Sequence, residues 1–147
     1  MTRGRRPLLA LKEAYEIAAK RGQVLPAFDG RYDNFHFILF TSDNVTFIKV
    51  KRTLTNKSDP VEILNNYARD IRHIAQVPET DVAVREFWTR SPRGDFHFFR
   101  VGKDRVLGLA GDGSVIPGAD YPLDLQTVQE LPKVTDTVQA VPGKSAS

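Results

Sequence analysis

The sequence predicts an α/β chain, an α+β mixed sheet flanked by helices, in the order helix–hairpin–helix–hairpin with one further strand. Three observations carry this expectation. Two stretches, after Pro7 and after Pro60, repeat apolar residues at helical spacing. Two pairs of aromatic and aliphatic runs, NFHFILF with VTFIKVKR and VAVREFW with DFHFFRV, are each joined by turn-type residues. At 147 residues, 41% hydrophobic and 27% charged, the chain suits one core in an ordinary globular domain.

Pro7 is well placed at a helix start, because it has no amide to leave unpaired there. Leu8, Leu11, Tyr15 and Ala18 then form an amphipathic stripe. Lys20 and Arg21 complement the negative end of the helix dipole, and Gly22 offers a left-handed cap. Asn34 to Phe40 reads as a buried strand, TSDN as a turn, and Val45 to Arg52 as the returning strand. Ser58-Asp59-Pro60 opens a second helix, with Glu62 three residues after Asp59 as in a capping box. Val61, Leu64, Ala68, Ile71 and Ala75 form its buried stripe; Glu62, Asn65, Asn66, Arg69, Arg72 and Gln76 form its polar side. After the break at Pro78, the second strand pair turns at Ser91-Pro92-Arg93-Gly94. RVLGLAG reads as a short further strand before the turn Asp112-Gly113-Ser114; the spacing of a P-loop is absent there. Residues 1–132 are thus expected to form one domain, and the small, polar residues 133–147 a disordered tail.

Cysteine is absent, which excludes disulfides, thiolate metal sites and cysteine nucleophiles. No apolar run reaches the ~18 residues that mark a membrane crossing. Lys12, Glu13 and Glu16 interrupt the first apolar stretch, which argues against a signal peptide, so a cytoplasmic location is expected. The net charge of +3 and pI near 9.3 permit nucleic-acid binding without requiring it. Its distribution says more. Arg3, Arg5, Arg6, Lys12, Lys20 and Arg21 crowd the start, and Lys49, Lys51, Arg52 and Lys57 follow the first hairpin. Residues 111–132 carry Asp112, Asp120, Asp124 and Glu130 and no Lys or Arg. His36, His73 and His97 are too scattered for a zinc spacing, and Phe87, Trp88, Phe96, Phe98 and Phe99 suit core packing better than a base-stacking platform.

Lys49 and Lys51 stand two apart on one strand, so they share a face. Like charges so placed need an anion or open water opposite them, and edge protection is the plain alternative. The element order, the strand FIKVKR and the closing pair REFWTRSPRGDFHFFRV resemble the PD-(D/E)xK nuclease superfamily over roughly Pro7 to Val101. That superfamily includes restriction-endonuclease-like proteins and archaeal Holliday junction resolvases. The resemblance implies a restriction-endonuclease-like core. It also implies an acid at the start of the first strand and a Glu or Asp two before a Lys, holding Mg²⁺ that activates water against a phosphodiester.

On that pattern Lys51 matches the motif lysine, while Lys49 stands where a metal-binding carboxylate belongs. An ammonium has no lone pair to offer and repels a cation. Asp33 is the best match for the first acid, with Asp29 and Asp43 as alternatives; Glu13 or Glu16 would supply the helix acid. Three expectations follow. The first is a nuclease-fold nucleic-acid-binding protein, DNA favoured, catalytically degenerate, contacting phosphates through Lys49, Lys51, Arg52, Arg69 and Arg72. The second is an active Mg²⁺-dependent, resolvase-like endonuclease using Asp33, Lys51 and Glu13, with Asp33 as metal ligand. The third is a non-catalytic protein-interaction module. The resemblance also admits a homodimer.

Overall fold

The computed structural model describes residues 8–26, 34–56 and 58–123; Arg3, Arg5, Arg6, Pro7, Asp29, Asp33, Lys57 and the expected 133–147 tail lie outside them. The described chain is an α+β structure of three helices and one seven-stranded mixed sheet. Helix α1 (Leu8–Ala19) precedes strands β1 (Gln23–Pro26), β2 (Phe37–Phe40) and β3 (Val45–Arg52). Helices α2 (Pro60–Asn66) and α3 (Ala68–Ala75) lead to β4 (Ala83–Arg90), β5 (Phe96–Val101), β6 (Arg105–Leu109) and β7 (Val115–Pro122).

The strands lie side by side in chain order. Every neighbouring pair is antiparallel except β3 and β4, which run parallel from Val45↔Ala83 to Arg52↔Arg90. Only that link needs a long crossover, and α2 with α3 supplies it. β1 and β7 were not expected. Among the described residues each is paired on one side only, and the burial pattern of β7 is mostly exposed, so neither shows a clean apolar alternation.

Pleat alternation gives the sheet two apolar faces, each with its own layer. On one, Ala10, Leu11, Ala14 and Ala18 of α1 pack on Phe37, Leu39, Ile48, Val50, Trp88 and Phe98. The alanines let the helix backbone approach closely, and Trp88 meets Phe98 edge to face at 4.8 Å. On the other face, Ile63, Leu64, Ile71, Ile74 and Val77 cover Phe87, Phe99, Val101 and Val106. The consecutive aromatics are thereby divided between two cores rather than gathered into one platform.

Two expectations about the helices change. Gly22 does not take a left-handed cap; a Cβ there would strike the Phe40 carbonyl oxygen, so close approach of the chain explains the glycine. The second helix is two helices, broken at Tyr67 (φ −118°, ψ 33°), just after the weak helix formers Asn65 and Asn66. The break shifts the phase of the stripe. Ile63, Leu64, Ile71 and Ile74 are buried, while Val61 is exposed. Asp59 caps α2 as expected, accepting from the Val61 amide at 3.1 Å.

Candidate nucleic-acid interface

Strand β3 is central, so its lysines protect no edge. Ile48 and Val50 face α1, while Phe47, Lys49 and Lys51 face α3. There the two ammonium groups share one carboxylate. Lys49 Nζ lies 3.9 Å from Asp70 Oδ1, and Lys51 Nζ lies 3.9 Å from Asp70 Oδ2. Lys49 is only 6% exposed, which corrects its expected role as a phosphate contact: its head lies beneath α3. Lys51 is half-exposed and lies 6.0 Å from the centre of the Tyr67 ring. Asp70 was not among the expected site residues. Its one sequence signal is an acid set between Arg69 and Arg72 on a helix side that is otherwise basic there.

Three exposed arginines stand on segments that hydrogen bonds join at the end of β3. Arg52 ends β3, Arg69 stands in the first turn of α3, and Arg93 sits in the β4–β5 turn. Gly94 makes that turn possible with φ +98°. None of the three guanidinium groups makes an ion pair or hydrogen bond among the described residues. Arg72 is half-buried and already interacts within the fold. The cluster lies at the carboxyl ends of the parallel β3–β4 pair and beside the positive end of the α3 dipole, two places where open sheets and helices receive anions.

The opposite face of β4 carries two ion pairs of reversed sense, one with α1 and one with the turn that follows it. Arg90 Nε donates to Glu13 Oε1 at 2.5 Å. Arg21 binds Glu86 through both guanidinium nitrogens at 2.9 and 3.1 Å, and Trp88 Nε1 donates to the same carboxylate at 2.8 Å. The hydrogen bond from Arg90 holds the Glu13 carboxyl below its ordinary value. Stability from that contact is therefore present above the unfolded glutamate value of about pH 4.3 and is lost as pH falls through the lower folded value. Unfolding followed from pH 5 to pH 3 should fall less steeply in Glu13→Gln than in the wild type. Identical slopes would remove this pair from the acid-sensitive contacts.

Glu13 and Lys51 consequently lie on opposite faces of the sheet, and Glu13 is engaged with Arg90. Asp33 is outside the described residues. Among the described residues no three His, Asp or Glu side chains are grouped to hold a metal ion. The described residues thus do not fit a magnesium site built from a helix acid, a strand acid and the β3 lysine. The histidines have other surroundings. His36 Nδ1 accepts from the Val50 amide at 2.9 Å, His97 is half-buried in register with Thr89, and His73 stands in the last turn of α3. No helix among the described residues is long and apolar enough to cross a membrane.

No protein-family model matches this chain, and no curated protein matches it. Among solved structures, it is similar to Hjc, a Holliday junction resolvase from the archaeal hyperthermophile Archaeoglobus fulgidus. The identity is 17%, over 84% of this chain and 97% of that chain, with a TM-score of 0.39.

Proposed function

We propose that this chain is a nuclease-fold nucleic-acid-binding protein, catalytically degenerate, that holds a phosphate backbone, DNA favoured, at the carboxyl ends of β3 and β4. The observation that supports this reading is the set of exposed arginines, Arg52, Arg69 and Arg93, on three segments joined at the end of β3, the strand that also carries the half-exposed Lys51. Asp70 is shared between Lys49 and Lys51, and none of the three arginines has a carboxylate partner among the described residues. Such a surface positions a backbone without reading its sequence. Loss of metal-dependent cleavage is supported by Lys49 in the carboxylate position and by Glu13 turned to Arg90 on the far face.

Binding of linear and branched DNA and of RNA should weaken steeply between 50 and 200 mM salt, the signature of counterion release. Arg52→Ala, Arg69→Ala and Arg93→Ala should each reduce the log–log salt slope by about one. Absence of binding at low salt would sink the proposal. Metal-dependent cutting that disappears in Asp33→Ala would instead establish the active endonuclease.

A protein-interaction module has its own supporting observation. Leu25 and Phe40 stay exposed at the β1–β2 side of the sheet, on the face that α3 covers over β3, β4 and β5. Leu25→Ser with Phe40→Ser should leave nucleic-acid binding unchanged if that surface is separate.

A further inference from the structure

Leu54 is the most exposed large apolar side chain among the described residues, at 87%. Single exposed leucines are common and need no explanation by themselves. This one is presented by a loop that is held on several sides. The Thr53 amide donates to the Arg90 carbonyl at 2.9 Å, and the Thr53 hydroxyl donates to the Thr55 carbonyl at 2.9 Å. The Leu54 amide donates to the Tyr67 hydroxyl at 3.3 Å, and Asn56 Oδ1 accepts from the Arg93 amide at 3.0 Å. Contacts from β4, the Tyr67 side chain at the α2–α3 break and the β4–β5 turn therefore fix the residues around Leu54, while its side chain belongs to neither core.

The surroundings of that tip are basic. Arg52 lies two residues before it, Arg93 is tied to the loop through Asn56, and Arg69 lies two residues beyond the anchoring Tyr67. An apolar tip between phosphate-holding arginines has the chemistry of a wedge. The arginines fix the backbone on either side, and the alkyl side chain enters between bases that have partly unstacked. Resting on the nucleic-acid reading above, we infer that Leu54 inserts between base steps of bound DNA and opens the stack at a branch point or a flexible pyrimidine–purine step. Those are the places where unstacking is easiest. The wedge lies at the carboxyl ends of β3 and β4, where the Thr53 amide meets the Arg90 carbonyl, and requires no metal.

The test uses 2-aminopurine placed successively along a branched duplex and a linear one, with the full chain added at low salt. Wild-type binding should raise the fluorescence at one step near the branch. Leu54→Ser, an exposed position that the fold does not depend on, should keep the wild-type salt slope but lose the fluorescence rise, and should weaken branched-duplex affinity by about tenfold. Leu54→Phe should restore the rise. Wild-type binding without any rise would overturn the wedge and leave the phosphate-binding reading standing. An equal rise in Leu54→Ser would also overturn it. If the wild type binds neither duplex at low salt, the wedge and the reading beneath it fall together.

Discussion

Glu86→Ala is expected to lower the unfolding free energy by about 3–5 kcal/mol, the cost of breaking a buried ion pair by removing one partner. Glu86 is fully buried on β4 and accepts from two guanidinium nitrogens of Arg21 and from the indole N–H of Trp88. Truncation leaves a 9%-exposed guanidinium without its carboxylate in the core beneath α1. It also strands a buried Trp88 donor. Chemical denaturation should show the loss directly, with a fall in Tm on the order of 10 °C in parallel. Glu86→Gln keeps an acceptor for Trp88 and should recover part of the loss. A Glu86→Ala protein as stable as wild type would mean that the pair contributes nothing net to holding α1.

Arg85→Ala should be nearly as damaging, by about 3 kcal/mol or more, and for a different reason. The side chain points to the opposite layer and donates to four backbone carbonyls: Ala75 at 2.5 Å, Val77 at 3.1 Å, Val101 at 3.0 Å and Gly102 at 2.8 Å. Ala75 ends α3, so the guanidinium caps that helix from its negative end and ties it to the end of β5. Burial pulls the guanidinium below its ordinary value, and the Glu79 carboxylate 3.9 Å away pushes it back up. Arg85→Lys has three donors on one nitrogen where the fork reached four carbonyls, and should rescue little. Hydrogen exchange should show the α3 amides losing protection first. Uniform loss across the sheet would argue against a local capping role.

The consecutive charges Arg85-Glu86 show where sequence patterning stops. Within VAVREFW they look like one polar interruption in an apolar strand. The pleat sends them to opposite layers, each to a separate set of partners distant in sequence. Glu86 reaches Arg21 across 65 positions, and no local pattern announces such a pair. Two charges inside a strand that is apolar on both faces were the available signal. A central strand tolerates them only when both are satisfied.

The site shows the same division. Arg52 and Arg69, the Asp59-Pro60 helix start and the two strand pairs can be read from composition and spacing, because they rest on local rules of capping, turns and alternation, whereas Arg93 reads only as a turn residue. Asn65 and Asn66 weaken the helix locally, but the break at Tyr67 also brings its ring to Lys51 and its hydroxyl to the Leu54 amide, contacts from another part of the chain. Asp70 and Leu54 were missed for that reason: an acid in a basic helix and a leucine in a polar loop acquire meaning only from what stands opposite.

In VTFIKVKR, the two-residue period by itself determined that Lys49 and Lys51 share a face, and that Val50 faces away from them. Only the tertiary structure decided which face that is. The parallel crossover lays α3 over the lysine side, puts Asp70 between the ammonium groups, buries Lys49 and leaves Lys51 half-exposed. Periodicity fixes the relative direction of side chains along one strand. Which layer covers them depends on where the chain returns, and that is a property of contacts far apart in sequence.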